Sequence, residues 1–179
     1  MTSLKVVFIG DSGVGKTSLI RAFMGHDVRS TDTTIGVDFY SFDKGGYKVV
    51  IWDFAGQEWF RDVIINFIKG AALVIMVFDL SKPLSLMNLV KNWVNYVVKF
   101  SGKHALTIVV GNKSDIKKID DTVIERSLDA IKEKVNMKLY LQTSALKYEN
   151  VSRLFDTIFE YTKMINTILR KKKLIEVRA

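Results

Sequence analysis

The densest chemistry in the chain lies between Gly10 and Ser18, which read Gly-Asp-Ser-Gly-Val-Gly-Lys-Thr-Ser. Gly10, Gly15, Lys16 and Thr17 hold the fixed positions of the pattern G-x-x-x-x-G-K-[ST]. The apolar run Val6-Val7-Phe8-Ile9 precedes it and the helix-forming Leu19-Ile20-Arg21-Ala22 follows. A strand therefore feeds a glycine-rich turn that opens a helix. Backbone N–H groups along Ser12, Gly13, Val14, Gly15, Lys16, Thr17 and Ser18 can surround an anionic phosphate chain there. The Lys16 ammonium would sit on the outer phosphates and the Thr17 hydroxyl would ligate Mg²⁺. A glycine-rich turn without a ligand is the plainer alternative, and the strand–loop–helix context argues against it.

Such a loop serves ATPases, GTPases and nucleotide kinases alike. The discriminator follows the apolar run Ala105–Val110: Gly111-Asn112-Lys113-Ser114-Asp115. An aspartate beyond a strand end can accept two hydrogen bonds from guanine, from N1–H and the exocyclic amine. Adenine offers neither donor there and would leave the carboxylate unpaired. Lys113 could lay its methylenes along the base plane, and Asn112 could tie this loop back to the phosphate loop. These residues disfavour an ATPase or nucleotide kinase, and no lid segment is legible.

At this point the chain resembles the small GTPases of the Ras superfamily, whose N-K-x-D motif this is. The resemblance runs from about Leu4 to Ile165, with the motifs in the family's order. Asp53-Phe54-Ala55-Gly56-Gln57 is similar to the family's D-x-A-G-Q segment. It implies that Asp53 contacts Mg²⁺ through water, that the Gly56 N–H senses the γ-phosphate, and that Gln57 orients the attacking water. Thr34 matches the threonine that closes the first switch over Mg²⁺ and the γ-phosphate. Thr143-Ser144-Ala145 matches the third base-contacting loop, with Ser144, Ala145 and Leu146 beside the base and the Ala145 backbone facing guanine O6. The implied catalytic set is Gln57, Lys16 and Thr34, and the implied metal set is Thr17, Thr34 and Asp53.

Within the superfamily the switch sequences Thr34–Phe39 and Ile51–Glu58 look most like Rab proteins. Phe39, Trp52 and Phe67 fall where Rab proteins keep an aromatic triad that effectors read; ordinary packing would explain the same residues. The resemblance implies a monomeric, cytoplasmic switch that binds GTP or GDP with Mg²⁺ and hydrolyses GTP slowly. Its switch regions would meet effectors, activating proteins and exchange factors, with membrane trafficking as the inherited role. A guanine-nucleotide-dependent scaffold with negligible hydrolysis is the alternative, and the intact Gln57 argues against it.

The elements that must position these residues are read from hydrophobic period. Runs at Lys5–Ile9, Ala72–Phe78, Ala105–Val110 and Leu139–Gln142 predict parallel strands buried on both faces. Val37–Phe42 and Tyr47–Trp52 flank Asp43-Lys44-Gly45-Gly46, which predicts a hairpin and one antiparallel edge strand. Leu86, Leu89, Val90, Trp93, Val94 and Val97 form one helical stripe. Ile124, Leu128, Ile131 and Val135 form a second, introduced by a Thr122-x-x-Glu125 capping box. Val151, Leu154, Phe155, Ile158, Thr162 and Ile165 form a third, with Asn150 as its N-cap. The expected fold is a three-layer, doubly wound α/β domain with a mostly parallel six-stranded sheet, the small G domain of the P-loop NTPases. It would span 1–170, with a basic tail over 171–179.

Length and charge agree with one globular unit. The 179 residues suit a single core, and one proline argues against a linker-rich chain. The absence of cysteine excludes disulfides and thiolate chemistry. The net charge of +8 is partly concentrated in Arg170-Lys171-Lys172-Lys173, read first as a solvated helix end and second as weak contact with an anionic membrane. No basic stripe interleaved with aromatics marks a nucleic-acid reader.

Four features depart from the Rab pattern. Leu174–Ala179 offers no cysteine for prenylation and residue 2 is Thr, so no lipid site is expected; a truncated or prokaryotic, archaeal relative would fit. Val28 or a neighbour replaces the aromatic that packs on guanine, which implies faster exchange. Leu146 replaces a lysine, and Ser12 stands where Ras has glycine. Arg29 is read as a solvated loop residue rather than a built-in arginine finger. His26 and His104 lack any metal or general-base pattern.

Overall fold

The computed structural model describes residues 3–29, 34–56, 68–101 and 105–176, with side chains through Lys171. Six strands form one sheet: β1 (Ser3–Ile9), β2 (Val37–Lys44), β3 (Tyr47–Phe54), β4 (Leu73–Asp79), β5 (Leu106–Asn112) and β6 (Asn136–Thr143). Their order is β2-β3-β1-β4-β5-β6, and every neighbouring pair is parallel except β2 with β3. The doubly wound α/β fold with an antiparallel edge strand is thus the observed one. Helices α1 (Lys16–Phe23), α2 (Pro83–Asn88), α3 (Val94–Phe100), α4 (Asp121–Lys132) and α5 (Val151–Glu176) cover its faces. Among the described residues no helix is long and apolar enough to cross a membrane.

Side-chain alternation along the central strands builds two cores. Val6 and Phe8 of β1 join Ile75 and Val77 of β4 beneath α1 and α5. Val7 and Ile9 join Val74, Met76 and Phe78 beneath α2, α3 and α4. All seven residues of β4 are buried, as expected of a strand covered on both faces.

The structure corrects several local expectations. Strands run past their apolar stretches because ladder pairing continues: Asp79 pairs with Asn112, and Asn112 with Thr143. The stripe from Leu86 to Val97 is interrupted by a π turn over Leu89–Trp93, which joins α2 to α3. The cap of α4 is Asp120, whose carboxylate accepts from the Thr122 N–H, rather than a box built on Thr122 and Glu125. Asn150 is left-handed, at φ 54°. It serves α5 through its carbonyl, which accepts from the Leu154 N–H, while its side-chain amide donates to Gln142 O on β6.

A buried bond joins the β2–β3 hairpin to the last helix. Tyr47 is 3% exposed and its hydroxyl donates to Phe159 O at 2.9 Å. Tyr47→Phe should cost about 1 kcal/mol in denaturant unfolding with an unchanged m-value, since the carbonyl keeps its Thr162 hydroxyl donor. Tyr47→Ala should cost about 3–5 kcal/mol, because the ring is also lost from the core.

Candidate functional site

The loop after β1 lies at the carboxyl end of the sheet, beside the strand where the winding direction reverses. Two of its glycines are required by close approach. A Cβ on Gly10 would lie 2.1 Å from Val77 O, and one on Gly15 would lie 2.2 Å from Asn112 Nδ2. Gly15, at φ 95°, caps α1, so the free N–H groups of the first helical turn face the loop's interior. Lys16 is 5% exposed and its ammonium donates to Gly10 O and Asp11 O, both at 2.9 Å. Burial pulls its pKa down to about 8, while Asp53 and Asp11 act in the opposite direction.

Three oxygen-bearing side chains meet beside Lys16. Thr17 Oγ1 donates to Asp53 Oδ2 at 2.5 Å and lies 2.7 Å from Thr34 Oγ1. Asp53 is fully buried, and its Oδ1 has no hydrogen-bond partner among the described residues. Burial raises its pKa to about 6, against the lowering effects of the Thr17 hydrogen bond and the Lys16 charge. Among the described residues no three His, Cys, Asp or Glu side chains form a metal cluster. A cation here would depend on these hard oxygens and on oxygens supplied by a ligand.

The loop after β5 is tied to the first by hydrogen bonds. Asn112, 1% exposed, donates from Nδ2 to Val14 O at 3.0 Å. Its Oδ1 accepts from Thr143 Oγ1 at 3.1 Å and from the Ala145 N–H at 3.3 Å. A base oxygen reaching the Ala145 N–H would therefore share it with Asn112. Lys113, left-handed at φ 65°, donates to Gly13 O at 2.8 Å and pairs with Asp79 Oδ2 at 2.7 Å. Burial pushes the Asp79 carboxyl up, but the Lys113 and Ser81 interactions outweigh it and hold the group below its usual range. Asp115 is exposed, and its Oδ1 accepts from Ser144 Oγ at 2.5 Å.

These groups border one cleft of about 300 Å³. Its walls include Ser12, Gly13, Gly15, Lys16, Thr17, Ser18, Thr34 and Gly56. Asn112, Lys113, Asp115, Ala145 and Leu146 line it as well, and Val28, Phe54 and Ile116 complete the lining. Val14, Asp53 and Ser144 stand behind the wall, each at most 1% exposed. Gln57 lies outside the described residues, as do Phe67 and His104.

A sequence model of the Ras family matches residues 5–164. The chain belongs to the Ras family of small GTPases. It is similar to proteins that carry Rab names. The Ras-related protein RabQ of Dictyostelium discoideum is 36% identical over 160 residues, covering 87% of this chain and 77% of that protein. Rab-1 of Theileria annulata is 34% identical over 165 residues, covering 89% and 74%. RABA5a of Arabidopsis thaliana is 35% identical over 173 residues, covering 94% and 76%.

In this Ras-family chain two carboxylates escaped the motif reading. Asp79 ends β4 alone, and its only sequence signal is Ser81, whose N–H and hydroxyl both donate to it. Asp11 fills a position of the phosphate-loop pattern that admits any residue. Of the aromatic triad, Phe39 is 58% exposed and packs edge-on against Trp52 at 4.6 Å between centroids.

Asp53 supplies a pH test. Its raised value means that the folded, ligand-free protein binds a proton here more tightly than the unfolded chain does. Ionised Asp53 therefore costs stability above pH 6, and that cost disappears as pH falls from about 6 towards 4. Urea unfolding of nucleotide-stripped protein should show Asp53→Asn more stable than wild type at pH 7 by on the order of 2–3 kcal/mol, with the gap narrowing towards pH 5.

Proposed function

We propose that the cleft binds GTP and GDP with Mg²⁺, that the protein hydrolyses GTP slowly, and that loss of the γ-phosphate changes the surface around Thr34 and Gly56. One observation carries the reading. Lys16 and Asp115 line a single cleft, and Asn112 hydrogen-bonds both to the phosphate loop and to the loop of Ser144 that holds Asp115. Asp115 accepts from guanine, while Ser12 to Ser18 present N–H groups to the phosphates.

The chain's own groups supply positioning and charge. Lys16 places its ammonium on the outer phosphates, and Gly56 donates its N–H to the γ-phosphate. Gln57 orients the attacking water, a role assigned from its place in the Asp53–Gln57 segment. The residues present fit a hard cation: Thr17 and Thr34 offer hydroxyl oxygens, and Asp53 offers its buried Oδ1. When bound, Mg²⁺ neutralises charge that develops on the phosphate oxygens. Unassisted turnover on the order of 10⁻⁴ to 10⁻² per second, the range of Ras and Gα proteins, suits a timer.

The output is a change in the two switch stretches, about 28–38 and 56–68, of which 30–33 and 57–67 lie outside the described residues. Effectors, activating proteins and exchange factors meet a monomer there, with Phe39 and Trp52 among the effector contacts. A role in membrane trafficking follows from the Rab likeness, with the protein cytoplasmic and weakly peripheral to membranes. The basic residues 171–179, beyond a G domain of 1–170, carry that contact; α5 itself continues to Glu176.

Phosphate release from purified protein tests the central step. GTP with Mg²⁺ should release phosphate at the stated rate, Lys16→Ala should abolish release, and Gln57→Leu should slow it at least tenfold with GTP affinity nearly unchanged. Release no faster than Lys16→Ala would leave a guanine-nucleotide-dependent scaffold instead.

A further inference from the structure

The carboxylate of Asp11 is held at both oxygens by one short stretch of helix. Asn88 Nδ2 donates to Oδ2 at 2.7 Å, and Trp93 Nε1 donates to Oδ1 at 2.9 Å. The two donors are five residues apart. On a regular α-helix that spacing puts side chains about 140° apart around the axis, too far round to reach one carboxylate. Here the intervening turn is a π turn, closed by the Val94 N–H on Leu89 O. The wider turn brings both donors to the same side, and such turns recur at functional sites. Trp93 is 1% exposed, so its indole N–H needs a partner, and Asp11 provides it.

The peptide that follows the Asp11 side chain is also in use. Asp11 O accepts from Lys16 Nζ at 2.9 Å. Gly56 rests directly on it: a Cβ there would lie 2.3 Å from both Asp11 C and Ser12 N, and 2.5 Å from Asp11 O. We propose that Asn88, Trp93 and Asp11 form a clamp that sets the height of the Asp11–Ser12 peptide. All three are positioning residues for γ-phosphate recognition through Gly56 and Lys16. The proposal rests on the reading of Gly56 as the γ-phosphate contact. A loosened clamp lets this peptide and Gly56 move together, which weakens a contact that only GTP makes.

The test compares equilibrium affinities for GDP and a non-hydrolysable GTP analogue in the full chain. Asn88→Ala, Trp93→Phe and Asp11→Ala should each lower analogue affinity about tenfold and GDP affinity less than threefold. Adding Trp93→Phe to Asp11→Ala should cost little more, because the two act through one interaction. Should Asp11→Ala fold poorly, the half-buried Asn88→Ala carries the same comparison. Equal losses for the two nucleotides, additive losses, or no loss would overturn the clamp. A wild-type protein that binds neither nucleotide would overturn the proposed function and the clamp together.

Discussion

Three loops from three strand ends converge on the side chain of Asn112, and the cleft depends on their staying together. Its amide donates to the phosphate loop at Val14 O, and its oxygen accepts from Thr143 and Ala145. The residue is buried at the end of β5, where ladder pairing to Asp79 and Thr143 fixes its backbone. A buried amide with all of its partners protein-bound is costly to disturb, because any loosened bond leaves a desolvated polar group behind. Gly15 is glycine for the same reason, since a Cβ there would collide with the Asn112 amide. Lys113 adds a second tie, linking Gly13 O to Asp79.

Around that frame the site is electrostatically unfinished. Lys16 is buried with only backbone carbonyls as hydrogen-bond partners among the contacts described above, and burial lowers its pKa to about 8. Asp53 is buried with one oxygen unpartnered and a pKa raised to about 6. A phosphate chain would compensate the first group and a cation the second. Both charges then regain the solvation that folding removed. Binding would thereby be coupled to stability, and under the proposed function the surface that changes is the one adjoining Thr34 and Gly56.

Much of this was legible in the sequence because the chemistry demands fixed spacings. The phosphate loop and Asn112-Lys113-x-Asp115 need particular residues at particular intervals, the unbroken apolar run of β4 marks a strand buried on both faces, and the structure assembles the motifs at the carboxyl end of the sheet. What escaped reading was set by tertiary reach. Asp79 and Asp11 are isolated acids whose long-range partners, Lys113 for the first and Asn88 and Trp93 for the second, lie 34 and 77 or more positions away in the chain. The π turn was hidden because its buried residues fit α-helical spacing equally well. Asp120 and Thr122 are both good cap residues, and only the backbone geometry decided between them.

The proposed guanine specificity rests on Asp115, read as the residue that turns a phosphate cradle into a guanine site. Competition between GTP and ATP for purified, nucleotide-stripped protein, repeated with Asp115→Ala, addresses it directly. The account predicts GTP preferred by at least about 10³-fold, with the preference largely lost in the variant. Equal affinity for the two nucleotides, or a preference that survives the loss of Asp115, would contradict it.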